Sequence, residues 1–517
     1  MITILWVDDE IDHLQSHIRY LEKRGLRILT AMSGKSALEI LSDTPVDLVL
    51  MDQMMIGMDG LETVAKIRES YHELPVVMVT QSEEEELMDR ALGGEVVDYL
   101  TKPVNPSQVF LVVKRLLQSD RLRSRAAAQT FVEEAARVAE ITSHRMSWDD
   151  WVEIYRSRVE HDVAMKGMVD GEIRKLHGER FEELSHEFSR FVETGYPEWI
   201  ADPDGPLMPH RFLERVVVPE MARSSELVMI VIDCMRYDQW LTMVPSIEGW
   251  FHAETGFMCS LLPSATPYSR NAIFAGLLPR DIWRFYRSDW LEEYGVPGLN
   301  RHEPRFLCDA LKRLGAGSAA KARYVKVSNR REGDSVRKGL SHLLEDGFLA
   351  IVVNFIDHLT HGRSELDLIR DLAPDVSSFR KLAETWFEAS FLKDVFQTLA
   401  ARGTTVVVTS DHGSIQSVHP TFVSGARGMS NSIRYRFGLS LSADEKAAII
   451  VRDPARWGLP DDNPRKTYVF ARSDYLLLHS RMNREEMHKF ENSFQHGGVS
   501  FEEMMVPSVV LRPKKLR

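Results

Sequence analysis

Three carboxylates, a hydroxyl and an ammonium follow strand-like runs in the first part of the chain, where side chains of these types can hold a cation and a phosphoryl group. They are Asp8, Asp9, Asp52, Thr80 and Lys102. The carboxyl ends of parallel strands meet at one edge of a sheet, so we expect these side chains to converge. Crowded carboxylates repel one another, and an oxygen-preferring dication such as Mg²⁺ relieves that repulsion. A phosphoryl group on Asp52 would then find Mg²⁺, the Thr80 hydroxyl and Lys102 ready to neutralise its oxygens.

A second set of acidic, histidine and hydroxyl residues lies between residues 233 and 496. Its members are Asp233, Thr266 in PSATPYSRN, Asp357 and His361 in a D-x-x-x-H pattern, Asp411 and His412, and His496 in QHGGVSFEE. Three aspartates, three histidines and a hydroxyl suffice for two divalent ions, and the abundant imidazole favours Zn²⁺ or Mn²⁺ over Mg²⁺. Two metal ions about 4 Å apart can clamp a phosphoryl group. The pattern therefore predicts a two-metal phosphoryl-transfer site.

Thr266 has a local reason to be the nucleophile of such a site. It precedes a proline, which favours the first helical position, so we predict that Thr266 is a helix N-cap with its hydroxyl at the positive helix end. A hydroxyl held there beside a metal ion is acidified and well placed to attack phosphorus. The backbone N–H groups near Tyr268 and Ser269, and the side chains of Arg270 and Asn271 one turn further, are candidates to bind phosphate oxygens.

Each motif has a simpler explanation when it is taken alone. S-x-T-P can be an ordinary helix cap, H-G-G can be a glycine turn with a hydrogen-bonded histidine, and an Asp at a strand end can be a solvated loop residue. The order of the motifs along the chain, namely Asp, Thr, D-x-x-x-H, D-H and H-G-G, is what favours a site.

The elements that must position these residues alternate strand and helix at both ends of the chain. In residues 1–118 short apolar runs predict a (βα)₅ domain with a five-stranded parallel sheet. The runs are Ile2–Val7, Leu26–Thr30, Asp47–Met51, Pro75–Thr80 and Val96–Leu100. From about residue 227 strongly apolar strands resume, and strands of this type predict a buried, largely parallel sheet. They are Leu227–Ile232, Leu349–Phe355 and Thr404–Thr409.

Between the two α/β regions the sequence predicts a helical connector. Residues 107–196 contain no proline, and their charged and apolar positions recur at helical spacing. Ser147 is followed three residues later by Asp150, which predicts a capping box at the start of an amphipathic helix. Pro197 is expected to end the helical pattern.

Composition excludes several classes of protein. With 517 residues, 44% of them hydrophobic and 27% charged, the chain is predicted to form roughly two to four folded domains rather than a disordered chain. The 76 acidic residues outnumber the 64 basic ones and give a formal charge of −12, which disfavours stable binding to DNA or to an anionic membrane. Three cysteines, no signal-peptide pattern and no apolar stretch of membrane-spanning length predict a cytoplasmic protein.

The first 118 residues resemble the receiver domain of two-component response regulators, on the acidic pair, Asp52, Thr80 and the Lys102–Pro103 dipeptide. The resemblance implies that Asp52 is phosphorylated by a sensor histidine kinase and that phosphorylation promotes homodimerisation. It further implies that a magnesium ion is held by Asp8, Asp9 and Asp52. The switch residues that it implies are Thr80, Tyr99 and Lys102.

Residues 223–517 resemble the alkaline phosphatase superfamily, and more narrowly its PglZ-type branch, on the ordered motifs above. The resemblance implies that one metal ion is held by Asp233, Thr266, Asp411 and His412 and the other by Asp357, His361 and His496. A receiver at 1–118, a helical connector at 119–222 and an α/β PglZ-like domain at 223–517 together resemble the PorX-type response regulators associated with type IX secretion. The α/β fold class is expected for both terminal domains.

Two functional hypotheses follow. The resemblance favours a two-metal phosphodiesterase that is controlled by phosphorylation, acts on cyclic or short linear oligonucleotides and regulates type IX secretion. The basic run Lys321–Lys338 would guide such an anionic substrate, and further pocket candidates are Tyr268, His358, His419, Arg434 and Arg436. The alternative is a signalling scaffold with a structural or inactive metal domain that binds a sigma factor or a secretion-system component.

Overall fold

The computed structural model describes residues 2–71, 74–80, 96–113, 116, 138, 146–165, 171–290, 300–316, 322–365, 371–425, 428–479, 490 and 492–514. The chain divides into two compact units, Met1–Phe131 with Met168–Asp170 and Val132–Gly167 with Gly171–Arg517. The connector helices from Trp148 onwards therefore fold together with the C-terminal part of the chain. Within the described residues, no helix is long and apolar enough to span a membrane.

The first unit contains the predicted five-stranded parallel sheet. Its strands are β1 (Ile2–Val7), β2 (Leu26–Ala31), β3 (Leu48–Asp52), β4 (Val76–Thr80) and β5 (Asp98–Thr101), in the order β2-β1-β3-β4-β5. Its helices are α1 (Gln15–Glu22), α2 (Gly34–Asp43) and α3 (Gly60–Ser70), with a short 3₁₀ helix at Ile11–Leu14 and helical residues at 106–113.

Both faces of this sheet are covered, which explains why its central strands are apolar at every position. Along β1, Leu5 and Val7 belong to one apolar cluster while Ile4 and Trp6 belong to another. Side chains alternate between the two faces of a strand, so the two clusters lie on opposite sides of the sheet. The carboxyl ends of β1, β3 and β4 then share one edge.

The second unit is built on a six-stranded sheet in the order β7-β18-β10-β6-β9-β8, with smaller sheets β11-β17, β12-β16 and β13-β15-β14. The strands are β6 (Leu227–Ile232), β7 (Phe251–Cys259), β8 (Arg323–Val327), β9 (Phe348–Val353), β10 (Thr405–Thr409), β11 (Ile415–Ser417), β12 (His419–Val423), β13 (Tyr435–Leu439), β14 (Ala448–Val451), β15 (Lys466–Ala471), β16 (Tyr475–His479), β17 (Ser493–Gln495) and β18 (Met505–Pro513). Strands β10, β6, β9 and β8 are parallel, and β18 pairs antiparallel with β10.

Helices surround this sheet and join the strands. They are α4 (Trp148–Met165), α5 (Gly171–Trp199), α6 (Pro209–Phe212), α7 (Val218–Arg223), α8 (Tyr237–Met243), α9 (Thr266–Ala275), α10 (Pro279–Phe285), α11 (Glu303–Arg313), α12 (Arg330–Leu343), α13 (Phe355–Glu365), α14 (Val376–Glu388), α15 (Phe391–Arg402) and α16 (Phe501–Met504). Between α6 and α7 the chain forms a π-helical turn at Leu213–Val217.

The connector helices pack into the core of the second unit through aromatic side chains. Phe188 of α5 stacks on Phe501 with ring centroids 4.4 Å apart, and Trp151 of α4 contacts both rings. The predicted capping box is confirmed, because Asp150 accepts from the Ser147 backbone N–H at 2.8 Å and its own N–H donates to the Ser147 hydroxyl at 3.3 Å. This packing makes the helices part of the same folded body as the sheet.

Two local predictions need correction. Pro197 does not end the connector helix but lies inside α5, which continues to Trp199. Phe355 is not the last residue of a strand, since β9 ends at Val353 and Phe355 begins α13. An apolar run of this kind does not by itself show where a strand gives way to a helix that is also partly buried.

Candidate metal centres

Three neighbouring parallel strands end at one edge of the six-stranded sheet, and each brings an aspartate there. Asp233 follows β6, Asp411 lies two residues after β10, and Asp357 lies in the first turn of α13, just beyond β9. Because β6 pairs in parallel with both β10 and β9, these three strand ends are adjacent. All three carboxylates are buried, and the most accessible, Asp357, is 7% exposed.

The first group of donor atoms surrounds the hydroxyl of Thr266. Ligand atoms of Asp233, Asp411 and His412 all lie within 4.8 Å of one another. The Thr266 Oγ1 atom is 3.0 Å from Nε2 of His412 and 3.4 Å from Oδ1 of Asp233. The structure thus places together the four residues that the resemblance assigns to one metal ion.

The second group consists of Asp357, His361 and His496, whose ligand atoms again lie within 4.8 Å of one another. Nε2 of His361 is 3.3 Å from Oδ1 of Asp357 and 3.2 Å from Nε2 of His496. The rings of His412 and His496 stack with centroids 4.3 Å apart, which joins the second group to the first. The arrangement therefore offers two adjacent donor sets rather than two separate sites.

Both donor sets fit divalent cations. Oδ1 of Asp411 accepts from the backbone N–H groups of Cys234 at 3.2 Å and His412 at 3.1 Å. Its Oδ2 is buried and accepts no hydrogen bond within the described part of the chain, although buried carboxylate oxygens normally have a partner. Cys234 makes its contact from a left-handed backbone conformation with φ of 63°, which is strained for a residue with a side chain.

The pKa shifts of the buried acids and histidines also favour a bound cation. Burial raises the pKa of Asp233 well above its ordinary value; Arg270 opposes this effect, whereas Asp411 and Asp357 reinforce it. Burial, together with His412 and His361, lowers the pKa of His496 well below its ordinary value, so that this imidazole is held neutral. A neutral imidazole is the form that binds Zn²⁺ or Mn²⁺, and such a cation would relieve the repulsion among the three carboxylates that raises the pKa of Asp233.

The N-terminus of α9 differs from the prediction. Ala265, not Thr266, is the N-cap, and Thr266 is the first helical residue with the proline at the second position. The backbone N–H groups of Tyr268 and Ser269 both donate to the Ala265 carbonyl at 3.0 Å, so they are not available for phosphate oxygens. The Thr266 hydroxyl still lies at the helix start because its own backbone is part of the first turn.

Arg270 and Asn271 also have partners other than those predicted. Arg270 donates to Oδ2 of Asp233 and, through Nε, to Oε1 of Glu303 at 2.6 Å. The Asn271 amide donates to the Pro267 carbonyl at 2.9 Å. Both side chains are buried, and Arg270 holds a metal-site carboxylate rather than an open anion site.

Glu303 is a site residue that the sequence did not reveal. Its fully buried carboxylate accepts from Arg270, from the Asn300 amide at 2.8 Å and from the Tyr324 hydroxyl. The residue begins α11, which packs on α9 far from it in sequence. The sequence pattern gives no sign of this role, because the role depends on the contact between Glu303 of α11 and Arg270 of α9.

The H-G-G motif is explained by close packing behind His496. Gly497 has φ of 122°, and a Cβ there would lie 2.3 Å from the Tyr435 ring; a Cβ on Gly498 would lie 2.5 Å from the Ala471 carbonyl oxygen. Oε1 of Glu503 accepts from the Gly498 N–H at 2.8 Å. The glycines therefore let the loop approach the small sheet closely enough to place His496.

Most of the further pocket candidates have structural roles instead. Arg434 is fully buried and bound to Glu503, so it supports the H-G-G loop from behind. Arg436 is buried and donates to the Leu477 carbonyl at 2.9 Å. Nδ1 of His419, the first residue of β12, lies 3.0 Å from Oδ1 of Asp474. Tyr268 packs edge-on against Trp290. His358 is exposed on α13.

In the first unit the predicted phosphoacceptor cluster is assembled at the edge formed by β1, β3 and β4. Ligand atoms of Asp8, Asp9 and Asp52 lie within 4.8 Å of one another, the donor set expected for Mg²⁺. Nζ of Lys102 is 3.0 Å from both Asp8 Oδ2 and Asp52 Oδ2. Burial raises the pKa of Asp52, and Lys102 counteracts that rise.

Two of the three predicted switch residues, Thr80 and Tyr99, differ in how much of them the structure describes. Thr80 is buried at the end of β4 and pairs in register with Thr101 of β5. The Tyr99 side chain lies outside the described part of the chain, although its backbone belongs to β5. The role of both residues remains a prediction.

Comparison with protein families returns three matches along the chain. The PglZ alkaline phosphatase-like domain of the BREX system matches residues 212–511, the response regulator receiver domain matches residues 4–114, and the PorX response regulator linker domain matches residues 121–200. The three matches follow one another in the order that the sequence motifs predict.

Individual relatives match the N-terminal part. The heme response regulator HssR of Staphylococcus epidermidis is 34% identical over 118 residues, which are 23% of this chain and 52% of HssR. The transcriptional regulatory protein CpxR of Escherichia coli is 35% identical over 120 residues, 23% of this chain and 50% of CpxR. The chain thus spans about half the length of these curated relatives. Among solved structures, that of the chemotaxis protein CheY4 of Vibrio cholerae is 28% identical in sequence and has a TM-score of 0.22. The match covers 22% of this chain and 98% of the CheY4 chain.

Proposed function

Because this chain belongs to the PglZ family of alkaline phosphatase-like proteins and carries a response-regulator receiver and a PorX-type linker ahead of that domain, we propose that it is a response regulator with a two-metal phosphodiesterase output. Its substrates are cyclic or short linear oligonucleotides. The observation that carries the proposal is the position of the buried Thr266 hydroxyl, 3.0 Å from His412 Nε2 and beside two complete donor sets.

The tautomer of His412 supports Thr266 as the nucleophile. Nδ1 of His412 lies 3.1 Å from the Gly413 carbonyl oxygen, which can only accept, so Nδ1 carries the proton. The lone pair of Nε2 then points toward the Thr266 hydroxyl and its surrounding carboxylates. Divalent ions bound here would act as Lewis acids that lower the pKa of the hydroxyl and neutralise phosphate oxygens.

The reaction proceeds in two displacements. The Thr266 Oγ1–phosphorus bond forms as the bond from phosphorus to one ester oxygen breaks, and the departing alkoxide takes up a proton. Water then attacks phosphorus and breaks the Thr266–phosphate bond, which restores the hydroxyl and releases a phosphomonoester. Asp233, fixed through Oδ2 by Arg270, keeps its Oδ1 directed toward the nucleophile throughout.

Lys326 is the side chain that we assign to the substrate phosphate. It lies on β8 and is half-buried, next to the parallel strand β9 that leads to Asp357. Among the described residues it has no ion-pair partner, although the charges of Arg270, Glu303, Asp233 and Asp357 all act on it. Burial and the neighbouring Arg270 lower the pKa of Lys326. An unpaired buried ammonium is costly, and a bound phosphate oxygen would supply its partner.

In this proposal, phosphorylation of Asp52 by a sensor histidine kinase is the signal that controls the output domain. The receiver site holds the acidic triad and Lys102 needed to stabilise a phosphoryl group. We propose that phosphorylation shifts the protein toward a homodimer and thereby sets the activity of the output domain. A role in type IX secretion and a location in the cytoplasm are further parts of the proposal, supported by the PorX-type linker and by three free cysteines.

The experiment that tests the activity compares wild type with Thr266→Ala and Thr266→Ser after metal analysis. Bis(p-nitrophenyl) phosphate and a panel of short oligonucleotides serve as substrates, with and without acetyl phosphate. We expect two Zn²⁺ or Mn²⁺ per chain in wild type, loss of turnover in the Ala variant and partial turnover in the Ser variant. Full metal occupancy without turnover of any phosphodiester under either condition would refute the phosphodiesterase and favour a scaffold role.

A further inference from the structure

A cavity of about 650 Å³ lies at the carboxyl ends of β8 and β9, beside the metal centres but lined by none of their ligands. Val327 and Val353, the last residues of these two strands, form its floor. Its walls come from the start of α12, from Phe355 at the start of α13, and from the junction of α14 with α15. The cavity therefore shares the sheet edge that carries the proposed reaction.

A face-to-face stacked pair of aromatic rings lines the cavity. The rings of Phe355 and Trp386 are parallel to within 5°, and their centroids are 4.3 Å apart. Both side chains are partly exposed and line the cavity together with Phe391. The Phe391 ring packs on Gly333 so closely that a Cβ on Gly333 would lie 2.3 Å from it, which fixes the ring at the cavity wall. A nucleobase can extend such a stack on the outer face of the pair, which is here called the Phe355–Trp386 surface.

The cavity lining also includes one arginine whose charge is not paired. Arg330 begins α12, lines the cavity and is exposed, and it has no ion-pair partner within the described part of the chain. Arg337, about two turns further, lies 3.3 Å from Asp394 and 3.6 Å from Asp334, which also line the cavity, so its charge is already balanced. The Arg330 guanidinium has no carboxylate partner among the described residues and shares the lining with the aromatic rings, so it fits the phosphate that accompanies a stacked base.

The cavity lies close to the second metal donor set along the chain. Phe355 lies two residues before Asp357, and two residues span at most about 7 Å of chain. Successive nucleotides of a stacked strand are roughly 3.4 Å apart along its axis. A base in the cavity would therefore belong to a nucleotide near the phosphodiester held between the metal donor sets.

We propose that this cavity is a nucleobase subsite in which a base stacks on the Phe355–Trp386 surface while Arg330 binds the adjoining phosphate. The proposal rests on the phosphodiesterase function and deepens it by assigning the substrate class to a built site. Recognition through stacking is tolerant of base identity, because every base has an aromatic face. The subsite thus predicts a preference for oligonucleotides over simple phosphodiesters without a strict sequence requirement.

The test compares a short oligothymidylate with an abasic oligomer of the same length and backbone. For Trp386→Ala we expect kcat/KM on the oligothymidylate to fall about 10-fold or more, since stacking contributes that much per base, while kcat/KM on the abasic oligomer stays unchanged. Trp386→Phe should retain most of the activity. Trp283→Ala is the matched control, because Arg287 lies 4.8 Å over the Trp283 ring but neither residue lines the cavity.

Two results would overturn the subsite while leaving the phosphodiesterase intact. One is equal loss on both oligomers in Trp386→Ala, which would mean that the variant displaces Asp357 through Phe355. The other is a wild type that cleaves both oligomers equally well. If wild type cleaves neither oligomer, binding of a phosphorothioate oligothymidylate is measured by calorimetry. Base-dependent binding that Trp386→Ala abolishes would support the subsite. Base-independent binding, or no binding, would overturn it.

Discussion

Arg270 binds only one of the two carboxylate oxygens of Asp233. Its guanidinium donates to Oδ2, while Oδ1 lies 3.4 Å from the Thr266 hydroxyl and 3.8 Å from His412 Nε2. Glu303 holds the other side of the guanidinium at 2.6 Å, so the arginine is fixed between two buried acids. Arg270 and Glu303 thus fix the orientation of Asp233 and leave its Oδ1 for the metal ion that Asp233 would hold, in the way that partners behind a metal ligand usually do.

Replacing Arg270 with Met is therefore expected to weaken metal binding. The change leaves Asp233 and Glu303 as unbalanced buried charges and frees Asp233 to rotate. We expect about a 10- to 100-fold loss of Zn²⁺ affinity, measured by competition with a chromogenic chelator. Glu303→Gln, which keeps a hydrogen-bond acceptor for the arginine, should lose less. Unchanged affinity in Arg270→Met would assign the arginine to substrate binding instead.

Gly497 is predicted to be intolerant of even one added methyl group. Gly497→Ala places Cβ 2.3 Å from the Tyr435 ring and forces an alanine into φ of 122°. The control is Gly403→Ala at the end of α15, which has φ of 77° but no atom within 4 Å of the added Cβ. Backbone strain alone should cost about 1 kcal/mol in the control, and Gly497→Ala should cost clearly more. Urea unfolding measures this difference.

Metal content gives a second, independent readout of the same variant. Because Gly497 follows His496, its displacement should remove one of the two bound ions and leave the other. Equal unfolding free energies and full metal content in both glycine variants would show that the loop accommodates the methyl group and that the tight contact has no role in placing His496.

The periodicity of the sequence was sufficient to predict the five-stranded sheet and the three adjacent strands β10, β6 and β9 of the six-stranded sheet, because strands buried on both faces are continuously apolar and the chemistry follows their ends. The strands β7, β8 and β18 were not predicted. Asp233 and Asp411 could be placed because they follow predicted strands. Glu303 could not, because it reaches Arg270 only through the packing of α11 on α9, and no local pattern reports such a contact. The cap of α9 was misplaced by one residue since proline is accepted at the first or second helical position alike.

Asp52→Ala is expected to abolish labelling of the protein by acetyl phosphate, as measured by intact mass. In the proposed reaction the Asp52 carboxylate attacks the phosphoryl donor, and Lys102, whose Nζ lies 3.0 Å from Asp52 Oδ2, neutralises the product. Asp12→Ala, which removes an exposed carboxylate of the same unit, should be labelled like wild type. Light scattering should show that acetyl phosphate shifts wild type, but not Asp52→Ala, from monomer toward dimer. Persistent labelling of Asp52→Ala would exclude Asp52 as the acceptor.

Asp238 predicts a pH-dependent part of the stability. Arg236 donates to it at 2.8 Å and Arg380 at 2.9 Å, within the second unit. Burial alone would raise the pKa of Asp238, but the two guanidinium groups outweigh it and lower the pKa below its ordinary value. A lowered folded-state pKa contributes stability above the unfolded pKa of about 3.9, and this contribution is lost as pH falls through the folded value.

Asp238→Asn should therefore cost about 3–5 kcal/mol at pH 7, because it removes the acid that Arg236 binds and leaves Arg380 with Asp162 as its remaining ion-pair partner among the described residues. The deficit should shrink as pH is lowered below about 4 in urea unfolding series. Glu254→Gln removes a mostly exposed partner of Arg512 and should cost less than about 1 kcal/mol at every pH. A deficit in Asp238→Asn that stays constant with pH would contradict a charge-based contribution.

Lys326→Met separates a substrate-binding ammonium from a structural one, because the two roles change stability in opposite directions. Lys326 is half-buried without an ion-pair partner among the described residues, so its replacement by an apolar side chain of similar length should raise the unfolding free energy slightly. The same change should lower kcat/KM on oligonucleotides about 10-fold or more at unchanged metal content, and Lys326→Arg should retain part of the activity. Lys338→Met on the exposed side of α12 is the control for a general loss of positive charge. A variant that is less stable yet fully active would show that Lys326 supports the fold and that the phosphate is held by other groups.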